Sequence, residues 1–272
     1  MSYRKHHVKS KIKKLKPKKS ILKNKWFWYI ALIVILFFAI SYFLLFAKFF
    51  SINNINISGN KDISTEDIFK ISNNKVNKKL FSLGSWQVIS RSFFLTNPNY
   101  IKEEIVNQFP KVNEILVQKK MFQTLEIEIK EREAKAIFCN NQLNKDCYFV
   151  DKSGIAFDFL ETLPTGFFII RDDKEAVAGK EIVNQNIIDG ILKAKQILKD
   201  NYNIDIEDVL ITTPLRLNIK TSENWQVYLT TDSDLDTQIT KLDLLLKEEI
   251  TESVRKKLQY IDLRFKDRAY YK

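Results

Sequence analysis

The feature that most constrains this chain is an uncharged run of 22 residues, 26–47, preceded by a tail whose charge is all of one sign. Residues 1–25 hold 11 Lys and Arg and neither Asp nor Glu. The chain has 44 basic and 33 acidic residues in all, so everything after residue 25 balances and the net charge of +11 belongs to the tail. In the run only Tyr29, Ser41 and Tyr42 carry a hydroxyl. At about 1.5 Å of rise per residue, a helix of this length crosses the ~30 Å hydrocarbon core of a bilayer. Lys and Arg are costly to translocate, which keeps the tail in the cytoplasm and sends the chain from Lys48 onward outside. A cleavable signal peptide is the competing reading. Its apolar core would be about 7–15 residues ending in small side chains. Here the core is longer, and Phe46-Ala47-Lys48-Phe49-Phe50 is a poor cleavage site. Trp26, Trp28 and Tyr29 stand at the inner boundary, where amphipathic rings settle.

The tail itself suits anionic lipid headgroups, each Lys or Arg adding about 1 kcal/mol beside a charged membrane. Nucleic acid would answer to the same charge, but no aromatic interrupts residues 9–19 to stack on a base, so specific readout is not expected. His6 and His7, the only histidines, lie in this tail. The remaining outer part therefore lacks the commonest general base, the Ser-His-Asp and Cys-His arrangements and the usual histidine zinc ligands. Two cysteines cannot make an all-cysteine zinc site, and Gly179-Lys180 has none of the upstream spacing of a phosphate-binding loop. No cofactor is expected. A carboxylate pair acting on wall polymer remains formally open, yet most Asp and Glu alternate with Lys along solvated faces. The expectation is a protein that is not an enzyme.

The outer part reads first as a small α+β unit. Residues 50–57 read as a strand closed by Gly59-Asn60. Ser64-Thr65-Glu66-Asp67 resembles a capping box opening a short helix through Ile71. A second helix is expected over residues 100–108, ended by Pro110 and followed by a strand over 112–120. Leu125, Ile127 and Ile129 alternate with Glu126, Glu128 and Lys130, the period of a half-buried strand. Residues 75–99 hold Phe81, Trp86, Phe93 and Phe94; an added helix packing its aromatics inward is the expectation, with rings dipping into headgroups or holding a partner as the alternative.

The second half is richer in strands. Residues 136–139 and 147–151 pair as a hairpin, and Ser153-Gly154 makes the next turn. Leu215, Leu217 and Ile219 form another hairpin with Trp225, Val227 and Leu229. Amphipathic helices are expected over residues 184–200 and from about 233 to 250. Cys139 and Cys147 face the oxidising side and fall across the first hairpin, so a disulfide is geometrically possible and is expected. Residues 260–271 read as a closing strand with Ile261, Leu263 and Phe265 inward.

In combination these segments resemble the FtsQ/DivIB family of bacterial cell-division proteins. Ile55-Asn56-Ile57-Ser58-Gly59-Asn60 and then Ile63-Ser64 resemble the opening of that family's POTRA domain. Phe109-Pro110-Lys111-Val112 and the strand from Thr124 to Glu131-Arg132 resemble its close. Residues 150–157 are similar to the family's Asp-x-x-Gly turn, and Ile261-Asp262-Leu263-Arg264 resembles its last strand. Phe122-Gln123 stand where the family often has Pro, and residues 75–99 exceed the usual link between the POTRA helices. The resemblance implies an α+β fold with a single transmembrane helix, a POTRA domain, then a mostly antiparallel β domain with two helices. The boundaries expected are 1–25 for the tail, 26–47 for the span, 48–133 for the POTRA domain and 134–272 for the β domain.

The resemblance also implies a scaffold of the cell membrane at the division septum, with FtsB/DivIC-like and FtsL-like proteins as partners. Partner capture would use the last strand by β-addition. Its residues are Arg264, Phe265, Lys266, Arg268, Tyr270 and Tyr271, with the two tyrosines as anchors. Against this stands an ordinary terminal strand protected by Lys266, Arg268 and Lys272. An anchored POTRA chaperone for exported chains is a further alternative. Glu131-Arg132 reads as a strand-end ion pair bridging the two domains, and Asp151 to Gly154 as a turn in which Gly supplies positive φ.

Overall fold

The computed structural model describes residues 24–83, 86–141 and 146–272. The basic tail up to residue 23, including His6 and His7, lies outside the described residues. The uncharged run forms α1 (Lys25–Phe46), with no residue buried and with the Asn24 side chain accepting the Trp26 N–H at its start. It is the one described helix long and apolar enough to cross a membrane.

A 3-10 turn at Lys48–Phe50 leads into the first sheet. Its elements are β1 (Asn54–Ser58), α2 (Thr65–Val76), β2 (Lys78–Leu83), β3 (Trp86–Ser90), α3 (Pro98–Gln108), β4 (Val112–Lys120) and β5 (Thr124–Glu131). β5 is central, parallel to β1 and antiparallel to β4. The alternation in β5 has its physical cause here: Leu125, Ile127 and Ile129 are buried against Ile68 of α2 and Ile101 and Ile105 of α3. α2 continues past Ile71 because Ser72 and Val76 extend its buried face. Its start differs from a capping box. The Ser64 side chain makes no cap bond, and the Asn60 amide instead donates to the Ile63 carbonyl and the Thr65 hydroxyl.

Residues 75–99 do not form an added helix. β2 and β3 pair with each other as an antiparallel hairpin that joins no other sheet. The residues responsible, Phe81, Val88 and Ile89, are aromatic or β-branched types flanking Gly84-Ser85, a turn signal in sequence.

The second sheet is built from β6 (Ala136–Asn140), β7 (Cys147–Val150), β8 (Ala156–Leu160), β9 (Ile169–Asp172), β10 (Ile206–Thr213), β11 (Arg216–Thr221), β12 (Gln226–Thr230), β13 (Tyr260–Asp262) and β14 (Tyr270–Tyr271). Its helices are α4 (Gln185–Tyr202), α5 (Leu235–Glu248) and the short α6 (Glu252–Arg255). The spatial order is β14-β13-β12-β11-β10-β9-β6-β7-β8. The pairs β6–β9, β9–β10 and β12–β13 are parallel and the other neighbours antiparallel. α4 buries Ile188, Ile191 and Leu198 in the sheet's main core with Ile239, Leu242 and Leu246 of α5, around Trp225, Phe138 and Phe168. Each sheet has its own apolar core, and the fold is α+β.

Candidate functional site

A sheet invites a partner strand at an edge whose N–H and C=O groups face outward. The nine-stranded sheet ends at β8 and β14. The start of the β8 edge is covered by its own chain: the Ala156 N–H donates to the Lys180 carbonyl, and the Gly179 N–H to the Ala156 carbonyl. The β14 edge has no such cover among the described residues.

The closing segment is not one continuous strand. β13 runs parallel to β12, and Leu263 still donates to the Tyr228 carbonyl at 2.9 Å. The chain then leaves the ladder and returns as β14, antiparallel to β13. Two contacts hold the excursion. Arg264 folds back on Asp262, its Nε 2.8 Å from Oδ1 and its Nη2 on Oδ2. Lys241 of α5 donates to the carbonyls of Phe265 and Lys266. Phe265 is consequently 47% exposed rather than inward, whereas Ile261 and Leu263 are fully buried. Local alternation read one step too far because neither the Arg264 claw nor Lys241 is visible in the strand's own pattern.

At the far end Tyr260 and Lys272 exchange main-chain bonds in both directions. Alternation along an antiparallel pair then turns the N–H and C=O of Tyr271 away from β13. The Tyr270 and Tyr271 side chains are each 46% exposed, and the Phe265 ring meets Tyr270 edge-on at 5.3 Å. Arg268 reaches the Tyr270 hydroxyl at 3.4 Å. Beside β14 a shallow groove is lined by Val254, Leu258 and Tyr271 with Lys257 and Lys272 on its rim. Phe265 and Tyr270 thus stand together at the free edge, and Tyr271 lies on its groove side. Arg264 is turned inward, its guanidinium 5.5 Å from the Tyr228 ring. Burial pushes the Asp262 carboxyl up, but the hydrogen bonds and charge of Arg264 outweigh it and hold the group below the usual carboxylate range. The groove and Lys241 had no sequence signal, since both depend on tertiary placement.

Residues 137–264 match the family model described as "Cell division protein FtsQ/DivIB, C-terminal". The chain is also 27% identical over 231 residues to the protein named Cell division protein DivIB from Clostridium acetobutylicum, covering 82% of this chain and 83% of that one. Both comparisons support the FtsQ/DivIB family of cell-division proteins. Among the described residues one helix is fit to span a membrane.

The FtsQ/DivIB C-terminal match begins in β6 and stops at Arg264, so Phe265, Lys266, Arg268, Tyr270 and Tyr271 lie beyond it. At its start, Cys139 and Cys147 face each other in the β6–β7 register as a disulfide with Cα atoms 4.2 Å apart. Glu131 and Arg132 act separately. Burial would raise the Glu131 pKa, but the backbone N–H groups of Ile63, Lys61 and Asp62 outweigh it and hold the carboxyl low. Arg132 is the bridging member, donating to the Pro110 carbonyl and to Asp151. The other Asp151 oxygen accepts the N–H groups of Ser153 and Ile155, closing the turn in which Gly154 has φ +76°. Among the described residues, no cluster of His, Cys, Asp and Glu could hold a metal ion.

Proposed function

We propose that this chain is a non-catalytic scaffold that gathers other membrane proteins of the division machinery at the septum. The basic tail stays in the cytoplasm against anionic lipid, α1 crosses the membrane, and both sheets lie outside. Residues 48–133 act as a POTRA domain and 134–272 as a β domain, a division supported by their separate cores. The partners are FtsB/DivIC-like and FtsL-like proteins, captured when a strand of theirs adds to β14.

The observation that carries this reading is the uncovered β14 edge, with exposed Phe265, Tyr270 and Tyr271 and an apolar groove alongside. Main-chain bonds would supply affinity, and the groove would select the partner's side chains. Lys257, Lys266, Arg268 and Lys272 favour a partner segment rich in Asp and Glu. Phe265 takes part as a surface anchor rather than as a ladder residue.

Co-purification from membranes tests the proposal. The full chain should bring down the cell's FtsB/DivIC-like and FtsL-like proteins, and a chain lacking residues 270–272 should not. Equal recovery with both chains would contradict strand addition at this edge.

A further inference from the structure

The β2–β3 hairpin has the makeup of a membrane-contacting element. A lone two-stranded ribbon is marginal in water unless something packs on it. This one pairs with no other sheet, and Leu80, Phe81, Val88 and Ile89 are all exposed. Its base is fastened to the end of the span. The Ser90 hydroxyl donates to the Leu45 carbonyl at 2.7 Å, and the Ser92 hydroxyl to the Leu44 carbonyl at 3.0 Å. These are carbonyls of the last turn of α1, which have no partner within the helix.

The β4–β5 turn reaches the same level. Phe122 packs against Phe50 at 5.4 Å, Phe50 against Phe43 of α1 at 5.8 Å, and Met121 at the turn's tip is 89% exposed. Apolar rings therefore link the span to this turn, and the serine bonds tie the hairpin to the same helix end. The hairpin's own charge has one sign: residues 78–92 hold Lys78, Lys79 and Arg91 and no Asp or Glu, while Lys75 pairs with Glu104 and Lys120 with Glu126.

We infer that the hairpin and the Met121-Phe122 turn sit in the outer leaflet of the same membrane that α1 crosses, with their lysines among anionic lipid phosphates. Aromatic and aliphatic side chains at that depth would be half desolvated, and the hydroxyl-capped helix end would fall at the headgroup boundary. The first sheet would then be held against the membrane at a fixed tilt. The inference rests on α1 being a true span.

The test uses the full chain reconstituted in phosphatidylethanolamine–phosphatidylglycerol vesicles. Spin labels are placed singly at Phe81→Cys, Val88→Cys, Ile35→Cys and Val177→Cys; the native cysteines are bonded to each other and leave the introduced thiol free to react. Labels at positions 35, 81 and 88 should lose access to a water-soluble nickel chelate and gain access to oxygen, while 177, on an exposed loop, stays open to the chelate. Full chelate access at 81 and 88, with 35 protected, would overturn the hairpin inference alone. Full access at 35 would overturn the span as well. Protection at 81 and 88 that disappears when protein is diluted in excess lipid would point to a second copy as the cover and overturn the inference.

Discussion

Arg132 and Asp151 tie the two cores together: Nη1 of the guanidinium lies 2.5 Å from Oδ2, with the side chains only 11% and 5% exposed. Arg132 follows β5 of the first sheet and Asp151 follows β7 of the second, so this pair bridges the halves. Lys111 adds a second tie between Asp62 and Asp158 at 2.6 and 2.9 Å. Removing one partner of a buried pair leaves an uncompensated charge, so Arg132→Ala should destabilise the chain by about 3 kcal/mol. A double-mutant cycle with Asp151→Asn in urea unfolding should give a coupling well above that of an exposed pair, about 0–1 kcal/mol. Additive losses would mean the pair is incidental.

Gly154 is required by more than its φ of +76°. A Cβ there would come within 1.7 Å of the Val183 carbonyl oxygen, a backbone atom that cannot swing away. Gly154→Ala should therefore cost more than about 1 kcal/mol in unfolding midpoint terms, while Gly166→Ala, with φ +91° but open space around it, should cost less. Equal losses would show that strain in φ, not the close approach, sets the cost.

The cysteine pair closes a loop of sequence separation 8. In the chain-entropy model such a loop contributes roughly 2–3 kcal/mol. Chain purified without reductant should resist thiol alkylation at Cys139 and Cys147 by mass spectrometry. Reduction should lower its stability by about that amount; free thiols in the untreated protein would contradict the pairing.

Acid should weaken the fold through a small set of carboxylates. Glu131, Glu223 and Asp262 all have pKa values lowered in the folded chain, each because hydrogen bonds to the charged form outweigh burial. A depressed folded pKa means stability that is full above the unfolded value, 4.5 for Glu and 3.8 for Asp, and lost as pH falls through the folded one. The urea midpoint should hold from neutral pH down to near 5 and decline below it. Glu131→Gln should be less stable at neutral pH and show a shallower decline; an unchanged slope would remove Glu131 from the set.

Much of the architecture was legible because local pattern and tertiary burial agree. The alternation of Leu125, Ile127 and Ile129 and the inward faces of α4 and α5 follow from period alone, and the two short apolar runs around the cysteines mark the β6–β7 hairpin. The departures arise where a distant group decides. Asp262 and Lys241 pull residues 264–269 out of the ladder, which no reading of residues 260–271 as an alternating strand could foresee. Residues 75–99 read as a helix when their aromatics are weighed for burial, and the chain forms a hairpin there. Their strand preference and the serine bonds to the end of α1 favour the hairpin instead.

The most direct measurement is partner affinity for the full chain in detergent, set against Tyr271→Pro and Tyr270→Pro. Proline at 271 removes an outward N–H and leaves the β13–β14 bonds in place, whereas proline at 270 removes an N–H that faces β13. If a division partner adds its strand to this edge, Tyr271→Pro should weaken binding of the FtsB/DivIC-like and FtsL-like pair by roughly tenfold, the loss of about 1.4 kcal/mol. Its unfolding midpoint should match the parent chain, with Tyr270→Pro losing both binding and local order. Parent-level affinity in a folded Tyr271→Pro chain would contradict strand addition at β14.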